Sequence, residues 1–361
     1  MILSVATFQW RNLEDAHLAL DQGVNLVVGR NAQGKTNLLE AVHLLSTGKP
    51  LRGVRDAETI RRGCDRTKVL GVLALAETEI AVEIGLGTRK KVTCNGLALP
   101  RASDLMGRAP TVTFCSADLG LIREDPAFRR NFLDTTLAQL RPGYLQAFSH
   151  YRRALEQRNS LLKVAQDQPV EATHFEVWEI DLAHYGCLLR RYRLGFVEKL
   201  AELSAEFHRD LAGPENLAMS YPVSEQDLDQ EALVRVYGDG RVQEIRRGST
   251  LFGPHRDDLK IDINGSEAKL FGSQGQQRSA TLAVKMAVLR WAHEHQGIAP
   301  ILLLDDVFAE LDRYRQSHLV DLAFRTQGQV LLTCTEIEQV SGDLVSKSSV
   351  WMVEAGQVRR V

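Results

Sequence analysis

The chain of 361 residues has no paired cysteines and no long apolar run. Its cysteines are odd in number, lie far apart and include no Cys-x-x-Cys pair: Cys64, Cys94, Cys115, Cys187 and Cys334. This spacing argues against a disulfide framework and a zinc site, and it is typical of a reducing compartment. No stretch of about 20 apolar residues occurs, and no apolar leader follows a basic start. We therefore expect a cytoplasmic protein that does not enter a membrane.

An excess of either charge is also missing. The 44 lysines and arginines nearly balance the 46 aspartates and glutamates, for a net charge of −2. Any surface that binds nucleic acid must therefore be a local patch. The 27 glycines and 10 prolines are too few for a fibrous or low-complexity protein. At roughly 150 residues per domain, the length indicates two or three domains, or one large α/β domain with an insertion.

The two ends of the chain differ in pattern from its middle. Strand-like apolar segments occur at residues 3–8, 25–28, 69–75, 80–86, 259–263, 301–304, 330–333 and 350–353, with a further strand signal at Leu251. From about residue 126 to 213 the apolar spacing predicts helices, and Pro169 separates two long ones as in an antiparallel hairpin. We predict an α/β head formed by residues 1–122 and 251–361, with a mostly helical arm of residues 123–250 inserted between them.

A glycine-rich motif lies between a predicted strand and a predicted helix. It reads Gly29, Arg30, Asn31, Ala32, Gln33, Gly34, Lys35, Thr36 and matches G-x-x-x-x-G-K-[ST]. Glycines let backbone amides turn toward phosphate oxygens, and the helix that follows offers its positive end. We expect this loop to bind a nucleoside triphosphate, with Lys35 at the β- and γ-phosphates and the Thr36 hydroxyl on Mg²⁺.

Two carboxylates follow the apolar run 301–304. Such a run is typical of a central parallel strand, whose carboxyl end meets the ligand. Asp305 is the candidate Mg²⁺ partner. Asp306 stands where the attacking water is oriented or its proton accepted.

A second group of small polar residues precedes another predicted helix. Its candidate residues are Ser273, Gly275, Gln276 and Arg278. Small polar residues at a helix N-terminus can bind an anion, but one nucleotide does not need two such sites from one chain. We expect Ser273 and Gly275 to meet the γ-phosphate held by another subunit. The alternative is simple helix capping.

Together these motifs resemble the head of ABC-type ATPases, and more closely the SMC-like members with separated halves. The closest resemblance is to the RecF family of bacterial recombination mediators. It rests on the segments 253–259 (GPHRDDL), 273–278 (SQGQQR) and 303–312 (LLDDVFAELD), and on Phe8 to Asn12, which resembles the opening Phe-Arg-Asn pattern of the family. The match covers essentially the whole chain and implies an ABC-type P-loop ATPase head with an inserted helical arm.

The resemblance also implies site residues. Residues 310–312 correspond to the D-loop, with Asp312. A threonine replaces the switch histidine of transporters; Thr333 and Thr335 are the candidates, and we favour Thr333. Ala32 departs from the glycine usual in the family. His255 fits either a structural hydrogen-bonded histidine or a catalytic one.

The activity implied by the resemblance is slow, DNA-stimulated ATP hydrolysis that acts as a switch, with ATP and Mg²⁺ as cofactors. Two chains would dimerise around two ATP molecules on gapped DNA and assist the loading of RecA through a RecR-type mediator. The processes implied are recombinational repair, DNA replication and SOS induction.

A basic stretch offers a DNA surface. Residues 123–163 have a net charge of +4, and the candidate DNA-binding residues are Arg123, Arg129, Arg130, Arg152 and Arg153. Such a patch would bind the backbone of double- and single-stranded DNA irrespective of sequence. The alternative is a solvated helix face.

Two other functions are weaker. The nucleotide-binding subunit of a membrane transporter would have a glutamate after Asp305, a switch histidine and a shorter helical insertion. A small-molecule P-loop kinase would leave Ser273 to Arg278 and the two carboxylates unexplained.

Overall fold

The computed structural model describes residues 1–51, 55–75, 78–224, 226–307, 311–325, 328–340 and 342–361. These residues form two compact units. The first contains residues 1–118 and 285–361, and the second contains residues 119–284. The first unit therefore combines residues from both ends of the sequence, and its second segment begins at residue 285, whereas the predicted head resumes at residue 251.

The strands are β1 (Ile2–Phe8), β2 (Ala16–Ala19), β3 (Val24–Val28), β4 (Thr67–Leu75), β5 (Thr78–Leu86), β6 (Lys91–Cys94), β7 (Leu97–Ala98), β8 (Thr111–Phe114), β9 (Leu217–Ser220), β10 (Lys260–Ile263), β11 (Ser266–Glu267), β12 (Ile301–Leu304), β13 (Val330–Cys334), β14 (Ser348–Glu354) and β15 (Gln357–Arg360). The α-helices are α1 (Lys35–Thr47), α2 (Gly120–Arg123), α3 (Pro126–Leu140), α4 (Pro142–Asp167), α5 (Ala172–Ala212), α6 (Gln230–Arg247), α7 (Ala268–Phe271), α8 (Gln274–Gln296), α9 (Arg313–Arg325) and α10 (Gly342–Ser346).

A mainly parallel sheet organises the first unit. Its strand order is β15-β14-β3-β13-β12-β8, and only the pairing of β14 with β15 is antiparallel. All residues of β3, β12 and β13 are buried, which explains why these strands appear in the sequence as continuous apolar runs. The carboxyl ends of neighbouring parallel strands meet at one edge of the sheet. Residues 29, 305 and 335 follow these ends.

An antiparallel sheet, β2-β1-β4-β5-β6-β7, completes the first unit. Helix α1 contacts β1 and β4 of this sheet and β13 of the parallel sheet. Its residues Leu38, Val42 and Leu45 are fully buried in one apolar cluster with Leu73 and Leu331. Each such side chain contributes about 1.5–3 kcal/mol on burial. The strand, loop and helix around the glycine-rich motif are therefore firmly fixed.

Helices dominate the second unit. Helix α4 packs against α5, and the chain reverses between Asp167 and Ala172, where Pro169 predicted a break. A small antiparallel sheet, β11-β10-β9, packs on α5 through β9. Among the described residues, no helix has the length and apolarity of a membrane span.

The second unit extends to residue 284, past the predicted head boundary at residue 251. Residues 260–263 pair with β9, and two carboxylates just before them are held by arginines of helices. Asp257 forms an ion pair with Arg190 at 2.7 Å, and Asp258 forms one with Arg129 at 2.7 Å. These contacts bind residues 251–284 to the helical unit, and charge pairing across more than 60 positions leaves no local sequence pattern.

Candidate nucleotide-binding site

The glycine-rich loop connects β3 to α1 in a conformation that side chains would obstruct. At Gly29, a Cβ atom would lie 2.3 Å from the carbonyl oxygen of Val353. Gly34 is the N-cap of α1 with a φ of 121°, and a Cβ there would lie 2.5 Å from the side chain of Leu13. Gly34 has no side chain that could cap the helix. The first backbone amides of α1 therefore have no side-chain acceptor from the N-cap residue.

Ala32 has a φ of 66°, in the left-handed region that favours glycine. This conformation explains the glycine usual at this position in the family that the sequence resembles. The Asn12 amide donates to the Ala32 carbonyl at 3.1 Å, and the Asn37 amide donates to Asn12 Oδ1 at 2.6 Å. These two asparagines support the loop and were not among the predicted site residues. Asn12 could have been found from the opening Phe-Arg-Asn pattern, whereas Asn37 has no signal in the sequence.

Lys35 is a buried cation at the bottom of the loop. Its side chain is 3% exposed, and its ammonium donates to the Gly29 carbonyl at 2.7 Å and lies 3.5 Å from Asp306 Oδ1. A cavity of about 240 Å³ opens beside it; its lining residues are Asn12, Ala32, Gly34, Lys35, Thr36, Asn37 and Asp306. A fixed buried cation and a helix N-terminus at one cavity favour an anionic ligand such as a phosphate.

The predicted metal residues and the predicted switch residue meet beside this cavity. The Thr36 hydroxyl donates to Asp305 Oδ1 at 2.7 Å. The Thr333 hydroxyl accepts from the Asp306 amide at 2.8 Å and lies 3.2 Å from Asp305 Oδ1. Asp306 itself has a φ of 53°, which directs the chain away from the sheet. The parallel pairing of β12 with β13 produces this arrangement, because both strands end at the same edge.

The donor set fits Mg²⁺ bound with a nucleotide. Hydroxyl and carboxylate oxygens are the ligands that Mg²⁺ prefers, and the ion takes one or two from the protein and the rest from phosphates and water. Thr36 and Asp305 already lie within hydrogen-bond distance of each other. In the described part of the chain, no group of three or more His, Cys, Asp or Glu side chains forms a metal cluster. Burial raises the pKa of the nearby Cys334 thiol to about 12, so it stays neutral.

The second anion motif begins α8. The Ser273 hydroxyl accepts from the Gln276 amide at 3.3 Å, and Gln276 Oε1 accepts from the Ser273 amide at 2.8 Å. This reciprocal cap confirms the helix-capping interpretation for the single chain. Gln276 also donates to Glu215 at 2.9 Å, so its side chain is already engaged. Ser273, Gly275 and Arg278 are exposed, and the Ser273 hydroxyl still has a proton to donate.

Asp312 caps α9. Its carboxylate accepts from the Arg315 amide at 2.9 Å and pairs with the Arg315 guanidinium at 2.9 Å. Phe308, Ala309 and Glu310 of the same predicted motif lie outside the described residues.

His255 is a structural histidine. Its Nε2 lies 3.1 Å from the Thr250 carbonyl, which can only accept, so Nε2 donates and Nδ1 accepts from the Tyr151 hydroxyl at 2.7 Å. Burial lowers the pKa of His255 to about 4, which keeps the ring neutral. Of the two roles that the sequence left open, the contacts favour the structural one.

The basic stretch is only partly a surface. Arg123, Arg152 and Arg153 are exposed, whereas Arg130 is half-buried and donates to the Asp257 carbonyl. Arg129 is buried, and its guanidinium is held by both oxygens of Asp258 at 2.7 and 2.8 Å. The prediction that Arg129 binds DNA is therefore wrong, because its charge is neutralised inside the unit.

Comparison with known proteins agrees with this geometry. Residues 7–92 match the family model of the AAA domain. The chain is 37% identical to the DNA replication and repair protein RecF of Geobacillus thermodenitrificans, over 97% of this chain and 96% of that protein. It is also 37% identical to RecF of Halothermothrix orenii, with the same two coverages.

Solved structures show the same similarity. A structure described as the recombination mediator protein RecF with ATP, in the RecFOR pathway, superposes with a TM-score of 0.91 and 31% identity over 100% of this chain and 97% of that one. The SMC head bound to the C-winged helix domain of ScpA superposes with a TM-score of 0.59 and 13% identity, over 100% of this chain and 96% of that one. The second likeness shows a shared fold.

Proposed function

Because the chain belongs to the RecF family of DNA replication and repair proteins, within the SMC-like ATPases, we propose that it is an ATP-dependent DNA-binding protein of recombinational repair with slow, DNA-stimulated ATP hydrolysis. One observation carries the proposal. Lys35, Thr36 and Asp306 line one cavity, and Asp305 and Thr333 contact Thr36 and Asp306 beside it, although these residues come from opposite ends of the sequence.

Each of these residues has a separate task. Lys35 would bind the β- and γ-phosphates, and Thr36 with Asp305 would hold Mg²⁺, which would neutralise charge on the phosphate oxygens. The Asp306 carboxylate would orient the attacking water and accept its proton. Thr333 holds the Asp306 amide and thereby fixes where that carboxylate points.

The dimer follows from the second anion motif. Ser273, Gly275 and Arg278 are exposed at the start of a capped helix, and the phosphate loop of the same chain already supplies a phosphate site. We therefore assign these residues to the ATP of a second copy. A ligand drives association only when it binds the dimer better than the monomer.

Sedimentation tests this assignment. The wild-type chain should be a monomer without nucleotide and a dimer with ATP and Mg²⁺. The variant Ser273→Arg places a bulky cation at the interface and should stay monomeric while it still binds ATP. Ser160→Arg, on an exposed position of α4, is the control and should dimerise. A Ser273→Arg chain that dimerises like the wild type would contradict the assignment.

DNA binding is proposed for the other candidate arginines of the basic stretch, which are exposed or, in the case of Arg130, half-buried. Arg123, Arg130, Arg152 and Arg153 would contact phosphates of double- and single-stranded DNA without reading the bases. Arg152 forms an ion pair with Glu156, one helical turn away at 3.5 Å, and both side chains are exposed. An exposed pair of this kind is weak and can yield to a phosphate.

Charge reversal tests the DNA surface. The variant Arg152→Glu/Arg153→Glu should weaken binding to gapped duplex in the presence of ATP and reduce the salt slope by about two units. The loss should be equal for unrelated DNA sequences. Arg246→Glu/Arg247→Glu makes the same charge change at exposed positions of α6 and should leave the slope unchanged. An unaltered salt slope in Arg152→Glu/Arg153→Glu would instead assign DNA binding to the head, near Arg55, Arg61 and Arg62.

The partners are proposed by family. Since the RecF structure with ATP is described within the RecFOR pathway, we propose that this chain assists RecA loading through a RecR-type mediator. The same membership supports roles in DNA replication and SOS induction. The transporter alternative is not favoured, because Asp306 and Thr333 occupy the positions where transporter ATPases have glutamate and histidine.

A further inference from the structure

Lys285 is a buried cation to which the mechanism above gives no task. It lies on α8, and its ammonium contacts Asp118 Oδ1 at 2.6 Å and donates to the Thr113 carbonyl at 3.1 Å. The two side chains are 9% and 12% exposed. A buried charge is tolerated only when it is paired and hydrogen-bonded, so this contact fixes Lys285 in place.

The ion pair reaches the metal carboxylate through the backbone of β8. Asp118 Oδ2 accepts from the Cys115 amide at 2.8 Å, directly after β8. The carbonyl of Phe114, the last residue of β8, accepts from the Asp305 amide at 2.8 Å. Lys285 therefore fixes the end of β8 through Asp118, and the backbone of Asp305 is hydrogen-bonded to that end of β8.

The other end of the same helix carries the exposed anion motif. Lys285 follows Ser273 by twelve residues, a distance of about 18 Å along an α-helix. The chain passes from the first unit to the second after Asp118 and returns after Val284. The ion pair therefore links Asp118, where the chain leaves the first unit, to Lys285, where it returns. A movement of α8 would be transmitted at this point to β8 and Asp305.

We propose that Lys285 is a positioning residue that couples engagement of Ser273 by a second subunit's ATP to the placement of Asp305. The inference rests on the proposed function and adds a link between its two anion sites. Lys285 is not among the residues that line the cavity at the phosphate loop, so we expect ATP binding by the single chain not to need it. Dimer closure and ATP hydrolysis, by contrast, should need Lys285.

The test removes the pair without leaving a buried charge. Lys285→Met alone would leave Asp118 unpaired in the interior, which is destabilising, whereas replacing both partners of a buried pair by apolar residues is often neutral. The double variant Asp118→Leu/Lys285→Met should therefore melt near the wild-type temperature. Its affinity for a fluorescent ATP analogue should stay within about threefold of wild type, while ATP-driven dimerisation and kcat fall by at least about tenfold, a typical coupling between sites.

Lys285→Arg keeps the charge and should restore most of the wild-type dimerisation and kcat. A double variant that dimerises and hydrolyses ATP like the wild type would overturn the inference. So would a loss of ATP affinity equal to the loss of kcat, because Lys285 would then act on binding. Failure of the wild-type chain itself to dimerise with ATP would instead overturn the proposed function, and the coupling with it.

Discussion

Lys35→Ala should lower the affinity for ATP about a hundredfold or more. The buried ammonium would make charge-assisted hydrogen bonds to two phosphates, and such bonds contribute about 1.5–3 kcal/mol each. The substitution also leaves the Gly29 carbonyl without its donor at 2.7 Å. Under the proposed ATP-driven closure, the variant should lose the dimer as well.

Titration of a fluorescent ATP analogue and sedimentation measure the two effects in one preparation. Lys49→Ala, at an exposed lysine just beyond α1, is the matched control and should keep both properties. If Lys35→Ala bound ATP within about threefold of wild type, a difference below 1 kcal/mol, Lys35 would not be the phosphate ligand.

Asp306→Asn should have the opposite profile. ATP should bind and the dimer should form, but kcat should fall by about 10²–10⁴, the usual contribution of a positioned general base. Asparagine tolerates a φ of 53° about as well as aspartate, so the backbone keeps its course. Loss of the carboxylate charge also frees Lys35 from a counter-ion at 3.5 Å, which favours phosphate binding.

The expected signature is an ATP-bound dimer that does not dissociate after excess nucleotide is removed. Phosphate release measured alongside sedimentation would show it. Asp65→Asn, at an exposed aspartate of the first unit, serves as the control and should hydrolyse ATP like the wild type. A wild-type rate for Asp306→Asn would show that another group activates the water.

The sequence predicted those residues of the candidate site that lie at the carboxyl ends of parallel strands. Gly29, Asp305 and Thr333 lie at or just after the ends of buried apolar strands, and parallel strands bring such positions together. The pattern also identified α1 and the helical hairpin, because amphipathic spacing and a proline are local signals. Ala32 is an informative departure, since its left-handed backbone shows what the usual glycine supplies.

What the sequence could not reveal depends on distant charge pairs. Arg129 was indistinguishable from its half-buried neighbour Arg130, yet Asp258, 129 positions away, holds Arg129 inside the helical unit. The same kind of pairing binds Asp257 and Asp258, which follow the predicted boundary at residue 251, to arginines of the helical unit. The side chain of Asn37 likewise donates to Asn12, 25 positions away. In each case the tertiary fold determines the partner, and no residue spacing in the sequence indicates it.

The strand order of the parallel sheet sets the time at which the protein can first bind ATP during synthesis. Strand β3 lies between β13 and β14, so the strand that leads into the phosphate loop has no partner in this sheet until residues 330–354 exist. A ribosome that adds about 5–20 residues per second needs about 15–60 s to make the intervening chain. The helical unit, whose residues 119–284 are contiguous, can fold during that interval. In a nascent chain, β3 therefore stays without these sheet partners during that interval. ATP can bind only after the C-terminal strands have left the ribosome.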